Sequence, residues 1–96
     1  ENTPNQLSLL QNYPNPFNPS TVIKYDIPKS SHVKIDIYDY RGRHLKSLID
    51  RESDPGISQI EWNSTNDNGE KVAAGVYIYR IETRDHVISR KMILLK

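Results

Sequence analysis

The chain of 96 residues contains no cysteine, so it can form no disulfide and offers no thiolate for catalysis or for a zinc site. Its charges nearly cancel, because 13 Lys and Arg residues against 12 Asp and Glu residues leave a net charge of +1. Such a balance creates no strong field for nucleic acid or for an anionic membrane. No apolar run reaches the ~18 residues of a membrane span. We therefore expect no nucleic-acid partner and no membrane span.

Apolar and polar residues alternate with a period of two over much of the chain, which is typical of half-buried β-strands. No segment shows the repeat of an amphipathic helix. The apolar runs are separated by turn-forming clusters at 41–42, 54–56, 66–69 and 83–86. Strands are predicted over residues 7–11, 22–27, 33–38, 45–49, 59–62, 75–83 and 87–95. This pattern predicts an all-β fold, a seven-stranded antiparallel immunoglobulin-like β-sandwich.

Two positions in this predicted sandwich have structural roles of their own. Trp62 falls on the core side of its strand with Ile60, and without a cysteine pair we expect aliphatic neighbours alone to pack against it. Gly75 follows two alanines where the chain enters a predicted central strand. A glycine there indicates a close backbone approach or a bulge.

Residues 13–19 are rich in proline, with Pro14, Pro16 and Pro19 in this one short segment. Each proline removes a backbone donor and restricts φ, so the segment is predicted to be a stiff, extended link between the sheets. Phe17 and Tyr13 would anchor it. The alternative is a polyproline-type ligand for a partner protein.

The side chains that could carry chemistry are scattered. His32, His44 and His86 lack the spacing of a metal site, and the polar segment 63–70 is better explained by asparagine turns than by a weak cation site. No serine, carboxylate or glycine-rich motif forms a catalytic or phosphate-binding pattern. We predict no enzyme activity, no catalytic residue, no metal and no cofactor.

The segment 87–96 combines apolar and basic residues in a predicted strand and ends at Lys96. We expect such a strand to be offered to a partner, as in an address or attachment module. Its buried face is left open by the pattern, because Ile88, Met92 and Leu94 share one side while Ile93 and Leu95 share the other.

Several segments, in their order, carry a resemblance to a known family. They are Asn12-Tyr-Pro-Asn-Pro-Phe-Asn-Pro-Ser-Thr21, Ile23-Lys-Tyr25, residues 33–43, Trp62, Val72-Ala-Ala-Gly-Val-Tyr77 and Arg90-Lys-Met-Ile-Leu-Leu-Lys96. This ordered set resembles the C-terminal sorting domain of the type IX secretion system (Por system), type A group. The architecture is also similar to the immunoglobulin-like domain of flagellar hook-capping proteins.

The resemblance implies a role in protein export in Bacteroidetes-type bacteria. Residues 1–8 would be a linker from a larger parent protein, and residues 9–96 the sorting domain. The N-terminal passenger, a secreted hydrolase or adhesin, would reach the periplasm and then the cell surface through the outer-membrane translocon, with possible removal of the domain by a sortase.

The resemblance also assigns roles to residues. Recognition by the translocon would involve Gly75, Val76, Tyr77, Lys91, Met92, Ile93, Leu94, Leu95 and Lys96, and structural roles would fall to Pro14, Pro16, Phe17 and Trp62. We expect the final strand to be an edge strand that is read partly by strand addition.

Two other functions are compatible with the sequence. A carbohydrate-binding or adhesive module of a polysaccharide-degrading enzyme could use Tyr38, Tyr40, Tyr13 and Trp62 as a platform for sugar rings, although the alternation places Trp62 in the core. A structural spacer within a longer chain is the third possibility.

Overall fold

The computed structural model describes residues 6–96, which form β-strands and connecting turns without a helix. The strands are β1 (Ser8–Leu9), β2 (Thr21–Ile27), β3 (Ser31–Asp39), β4 (His44–Ser53), β5 (Gly56–Trp62), β6 (Gly75–Glu82) and β7 (Val87–Leu94). One sheet has the order β1-β2-β5 and the other β4-β3-β6-β7, with antiparallel pairing throughout both sheets. The predicted seven-stranded antiparallel sandwich is confirmed.

The core lies between the two sheets and follows the predicted alternation. Ile23, Tyr25 and Ile27 point inward from β2, whereas Lys24 and Asp26 between them lie on the opposite face of the strand. The inward residues of β6 are Tyr77, Tyr79 and Ile81. The buried apolar set is Leu7, Leu9, Phe17, Ile23, Tyr25, Ile27, Val33, Ile35, Ile37, Ile49, Trp62, Tyr77, Tyr79, Ile81, Met92 and Leu94.

The β3–β4 turn shows how local chemistry sets a hairpin. Gly42 has a φ of +87°, which glycine adopts at no steric cost. The Asp39 carboxylate accepts hydrogen bonds from the backbone N–H groups of Arg41 and Arg43, each at 2.9 Å. The hydrogen bond from the Arg43 N–H is the main cause that lowers the pKa of the Asp39 carboxyl. The Arg43 side chain and the Arg41 N–H lower this pKa further. The predicted tight turn at 41–42 is confirmed.

Several strands differ in length from their predictions, and β3 and β5 begin earlier than predicted, at Ser31 and Gly56. β4 runs from His44 to Ser53, longer than the predicted 45–49, because it is an edge strand on which Ile49 alone is fully buried and the alternation is therefore weak. β1 is limited to Ser8–Leu9, although the Leu10 N–H still donates to the Lys24 carbonyl at 3.0 Å. Leu7 and Ser8, within the predicted linker, belong to the folded part, while residues 1–5 lie outside the described residues.

Trp62 is buried as predicted, with 1% of its surface exposed, but the prediction that its neighbours are aliphatic alone is wrong. Its ring centroid lies 5.9 Å from that of Phe17 and 5.5 Å from that of Tyr77 in an edge-to-face arrangement. The indole N–H donates to the Thr65 carbonyl at 2.9 Å. Phe17 belongs to the proline-rich segment, which crosses from one sheet to the other. The period-two pattern of the strands does not predict this crossing, so it could not predict the aromatic cluster.

Candidate functional site

The alternation of side chains along β7 decides which of its residues a partner could touch. Met92 and Leu94 point into the core, with 0% and 5% of their surfaces exposed. Lys91, Ile93 and Leu95 lie on the opposite face and are exposed, Ile93 by 42% and Leu95 by 50%. The face that the sequence left open is therefore settled: the side of Met92 and Leu94 is the buried one.

The start of β6 lies directly beside the end of β7, because the two strands are antiparallel neighbours. Gly75 pairs with Leu94, and Val76 pairs with Ile93. Val76 is 41% exposed, so the Val76–Ile93 pair forms a small apolar surface on the outer face of the sheet. The structure thus brings the two segments named for recognition, 75–77 and 91–96, to one end of the β6–β7 hairpin.

Of these nine residues, Gly75 has no side chain, and the other eight divide into a buried and an exposed group. Tyr77 packs against Trp62 and, like Met92 and Leu94, points into the core. Val76, Lys91, Ile93, Leu95 and Lys96 are exposed. A role for any of them in binding stays a prediction, and only the exposed group offers side-chain atoms to a partner without unfolding.

The prediction for Gly75, a close backbone approach or a bulge, is wrong, and β6 pairs with β7 without a register shift from Gly75 onward. No heavy atom lies within 4 Å of the position that a Cβ would occupy there. The φ of +150° is instead the reason for glycine, since side-chain-bearing residues rarely adopt that conformation. Gly75 therefore sets the direction in which the chain enters β6.

The proline-rich segment links the two sheets, as predicted. Tyr13 forms a bridge with Val22 of one sheet, and Phe17 forms a parallel bridge with Leu94 of the other. The bonds preceding Pro14, Pro16 and Pro19 are cis peptides, and the segment bends rather than running straight. Phe17 anchors it in the core, while Pro14 and Pro16 are exposed. The predicted anchoring role of Tyr13 is wrong, because its side chain is 80% exposed.

Sequence reasoning missed the amide side chains around this segment. The Asn12 side chain is buried, and its Nδ2 donates to the Thr21 hydroxyl at 2.9 Å. Gln11, Asn15 and Asn18 bond to the backbone of residues 91–96, as described below. Asn15 and Asn18 are next to prolines, which indicates turns, but no sequence signal predicts the partners of these three amides, 78–80 residues away.

The outer face beside the β6–β7 end carries a polar network. Arg80 lies over the Tyr38 ring at 4.8 Å from the centroid, and its Nη2 donates to the Tyr38 hydroxyl at 2.6 Å. The buried Asp36 carboxylate accepts hydrogen bonds from His44 Nε2 at 2.9 Å and from the Ser47 hydroxyl at 2.8 Å. The carboxylate of this network is thus already bound within the fold.

The aromatic residues proposed as a sugar platform are not brought together. Trp62 lies in the core, and the ring of Tyr38 is half-buried beneath Arg80. Tyr13 is attached to the β1-β2-β5 sheet, whereas Tyr40 lies at the β3–β4 turn of the other sheet. No observation here favours a carbohydrate-binding platform.

The histidines and the 63–70 turn show no metal chemistry. His32 contacts Asp50 through Nε2 and Glu52 through Nδ1 at 3.4 Å, and the hydrogen bond with Asp50 is the main cause that raises the pKa of His32. The Asn66 side-chain oxygen accepts the N–H groups of Asn68 and Glu70, so the predicted asparagine turn is confirmed. Within residues 6–96, no three His, Asp or Glu side chains are arranged to hold a metal ion.

No helix in the described part of the chain could cross a membrane.

Solved structures of other proteins share the fold of this chain. Two solved structures of Porphyromonas gingivalis proteins are similar in fold: dimeric latent PorU (TM-score 0.74, 22% identity) and PorZ, a surface component of the type-IX secretion system (TM-score 0.61, 19% identity). Each match covers 94% of this chain, but this chain spans only 9% of the PorU chain and 11% of the PorZ chain.

A search of curated proteins gave no match. The family model described as "Secretion system C-terminal sorting domain" matches residues 11–95. That match extends from the proline-rich segment to the last exposed apolar residue of the β6–β7 end. The chain therefore belongs to the C-terminal sorting domains of the type IX (Por) secretion system.

Proposed function

We propose that this domain is a non-enzymatic C-terminal secretion signal that directs an attached passenger through the outer-membrane type IX translocon to the cell surface. The passenger, a secreted hydrolase or adhesin, precedes the domain in a longer parent chain and crosses the periplasm before it reaches the translocon. Sortase components at the surface then attach the passenger and remove the domain. Membership of the sorting-domain family supports the general role.

The observation that carries the proposal is the arrangement of the β6–β7 end. Val76, Lys91, Ile93 and Leu95 are exposed together, while the residues between them lock the two strands into the core. A partner therefore meets a rigid surface of apolar and basic groups rather than a flexible tail, which reduces the ordering cost of binding.

The test is a secretion assay in a bacterium with an intact type IX system and in its translocon mutant. A fluorescent reporter with a periplasmic signal is fused in front of residues 1–96. We expect reporter on the surface of the wild type and in the periplasm of the mutant. Equal periplasmic retention in both strains would refute the proposal, and a binding assay on insoluble polysaccharides would then test the carbohydrate-binding alternative.

The same assay separates export from processing. If a sortase removes the domain, the surface reporter has the size of the passenger alone, and deletion of residues 1–5 of the predicted linker leaves it at full length. A surface reporter that keeps the full fusion size would support export but contradict removal by a sortase.

A further inference from the structure

β7 is the outermost strand of its sheet, yet the outer edge of its C-terminal half is already occupied. The Phe17 N–H donates to the Ile93 carbonyl at 3.0 Å, and the Leu95 N–H donates to the Phe17 carbonyl at 2.8 Å. The Ile93 N–H donates to the Asn15 side-chain oxygen at 3.0 Å. Every backbone group that Ile93 directs outward therefore has a partner within the domain.

Two further amides extend this cover, and we call residues 11–18 the edge cap. Gln11 Nε2 donates to the Lys91 carbonyl, and Asn18 Nδ2 donates to the Lys96 carbonyl, both at 3.0 Å. Pro14 and Pro16 lie within the cap and have no N–H group, so the cap itself cannot continue the sheet. A strand from another protein cannot add to the end of β7 while the edge cap is in place.

The edge cap is fixed to the domain by a buried side chain. The Phe17 side chain is 2% exposed and lies against Trp62 with 5.9 Å between the ring centroids. Releasing the cap would expose this ring and leave the outward groups of residues 91, 93 and 95 without their partners. Both effects oppose the release, so the cap is expected to stay in place when a partner binds.

The edge stays open only in the first half of β7. Since residues 91, 93 and 95 direct their backbone groups away from β6, the alternation of an antiparallel ladder does the same for Ser89 and Val87. The Thr83 N–H bond to the His86 carbonyl at 2.9 Å fits this register. Strand addition to β7 could therefore use only the open edge at Val87 and Ser89, which are not among the residues assigned to recognition.

We propose that the sorting partner docks side-on, onto the outer face of the β6–β7 end, with the edge cap in place and without adding a strand to β7. This inference rests on the proposed function. The contact surface is the outer strip, which consists of Val76, Ile93 and Leu95 with Lys91 beside them. Each of these is exposed on the same face of the hairpin.

Charge indicates the chemistry of the partner surface. Lys91 lies beside the outer strip, Lys96 follows Leu95 in the chain, and both lysines are exposed. On this face of the sheet, the Asp36 carboxylate is bound by His44, and Glu82 pairs with Val87 at the opposite end of the β6–β7 hairpin. The strip is therefore apolar with a basic rim, and it fits a protein surface that is apolar with a carboxylate-bearing rim.

The reporter assay described above distinguishes side-on docking from strand addition. Ser89→Pro removes an outward N–H and blocks strand addition at the open edge without breaking a bond to β6. Val87→Pro does the same at the first residue of the strand and serves as a second variant. Ile93→Ser truncates the outer strip, and Val87→Ser is its matched control, since Val87 is also outward on β7 and 56% exposed. Thermal melting of each purified domain checks folding.

We expect Ser89→Pro, Val87→Pro and Val87→Ser to leave surface export unchanged, and Ile93→Ser to reduce it by about tenfold, the effect of losing one contributing contact residue. Loss of export in either folded proline variant, or normal export with Ile93→Ser, would overturn side-on docking while the proposed function stands. If the parent domain itself shows no translocon-dependent export, the proposed function fails and this inference fails with it.

The charge rim has its own matched pair of variants. Lys91→Glu should reduce export as strongly as Ile93→Ser, because it places a carboxylate against a carboxylate-bearing rim. Lys34→Glu makes the same change at an exposed position of β3, outside the outer strip, and should leave export unchanged. Equal export from the two variants would overturn the acidic character assigned to the partner.

Discussion

The hydroxyl of Tyr79 joins the two sheets, and its removal should destabilise the domain more than the same change at Tyr77. Tyr79 is fully buried, and its O–H donates to the Leu10 carbonyl at 2.7 Å. The same oxygen accepts the Asn12 N–H at 2.8 Å. Tyr77 also donates through its O–H, to the Ala73 carbonyl, but Ala73 is exposed and its carbonyl can bind water instead.

The expected magnitudes follow from what each phenylalanine would leave behind. Tyr79→Phe leaves the Asn12 N–H buried without an acceptor, which costs about 1–3 kcal/mol. Leu10 is 46% exposed, so its carbonyl can find water and adds little. Tyr77→Phe removes a single bond whose acceptor can be rehydrated, with a net cost of about 1 kcal/mol or less.

Thermal and urea unfolding of the two variants measure this difference. For a domain of this size, about 2 kcal/mol lowers the Tm by about 8–16 °C. Amide hydrogen exchange adds a local readout, because the Asn12 N–H should exchange faster in Tyr79→Phe and be unaffected in Tyr77→Phe. Equal losses of stability in the two variants, with an unchanged Asn12 amide, would refute the reasoning.

Three further perturbations test other parts of the structure. Phe17→Ala should lower the free energy of unfolding by about 3–5 kcal/mol, measured in urea, because it leaves a cavity beside Trp62. Gly75→Ala should cost about 1–3 kcal/mol, since alanine is strained at this φ; a neutral result would contradict the conformational role of this glycine. In an NMR titration, the pKa of His32 should lie above the ordinary 6.5 and fall in Asp50→Asn. Because the folded pKa is raised, the His32 contribution to stability is present below pH ~6.5 and is lost as the pH rises through the folded pKa.

The strands that could be predicted from the sequence are those with one fully buried face. In β2 and β3 the alternation is strong because apolar residues occupy the core face, and both strands were found where it indicated. The edge strand β4 was predicted too short, because exposure on most of its positions removes the alternation that marks a strand. A strand is therefore easier to predict from the sequence when apolar residues fill its core face than when most of its positions are exposed.

The residues assigned to the candidate site were named through the resemblance, and the structure adds which of them a partner could reach. Met92 and Ile93 are neighbours in the sequence, but one is fully buried and the other is 42% exposed. Both residues are apolar, so either one could face the core, and the sequence does not decide between them. The packing of β7 against the other sheet resolves it.

The local features of the fold could be predicted from the amino-acid sequence: the period-two strands, the turns at glycine and asparagine, and the restricted proline-rich segment. These follow from interactions among residues close together in the chain. Packing between distant segments sets the neighbours of Trp62, the position of β7 at a sheet edge, and the closure of that edge by residues 11–18. The physical reason is distance along the chain, since Gln11 and Lys91 bond across 80 residues and no local pattern records such a pair.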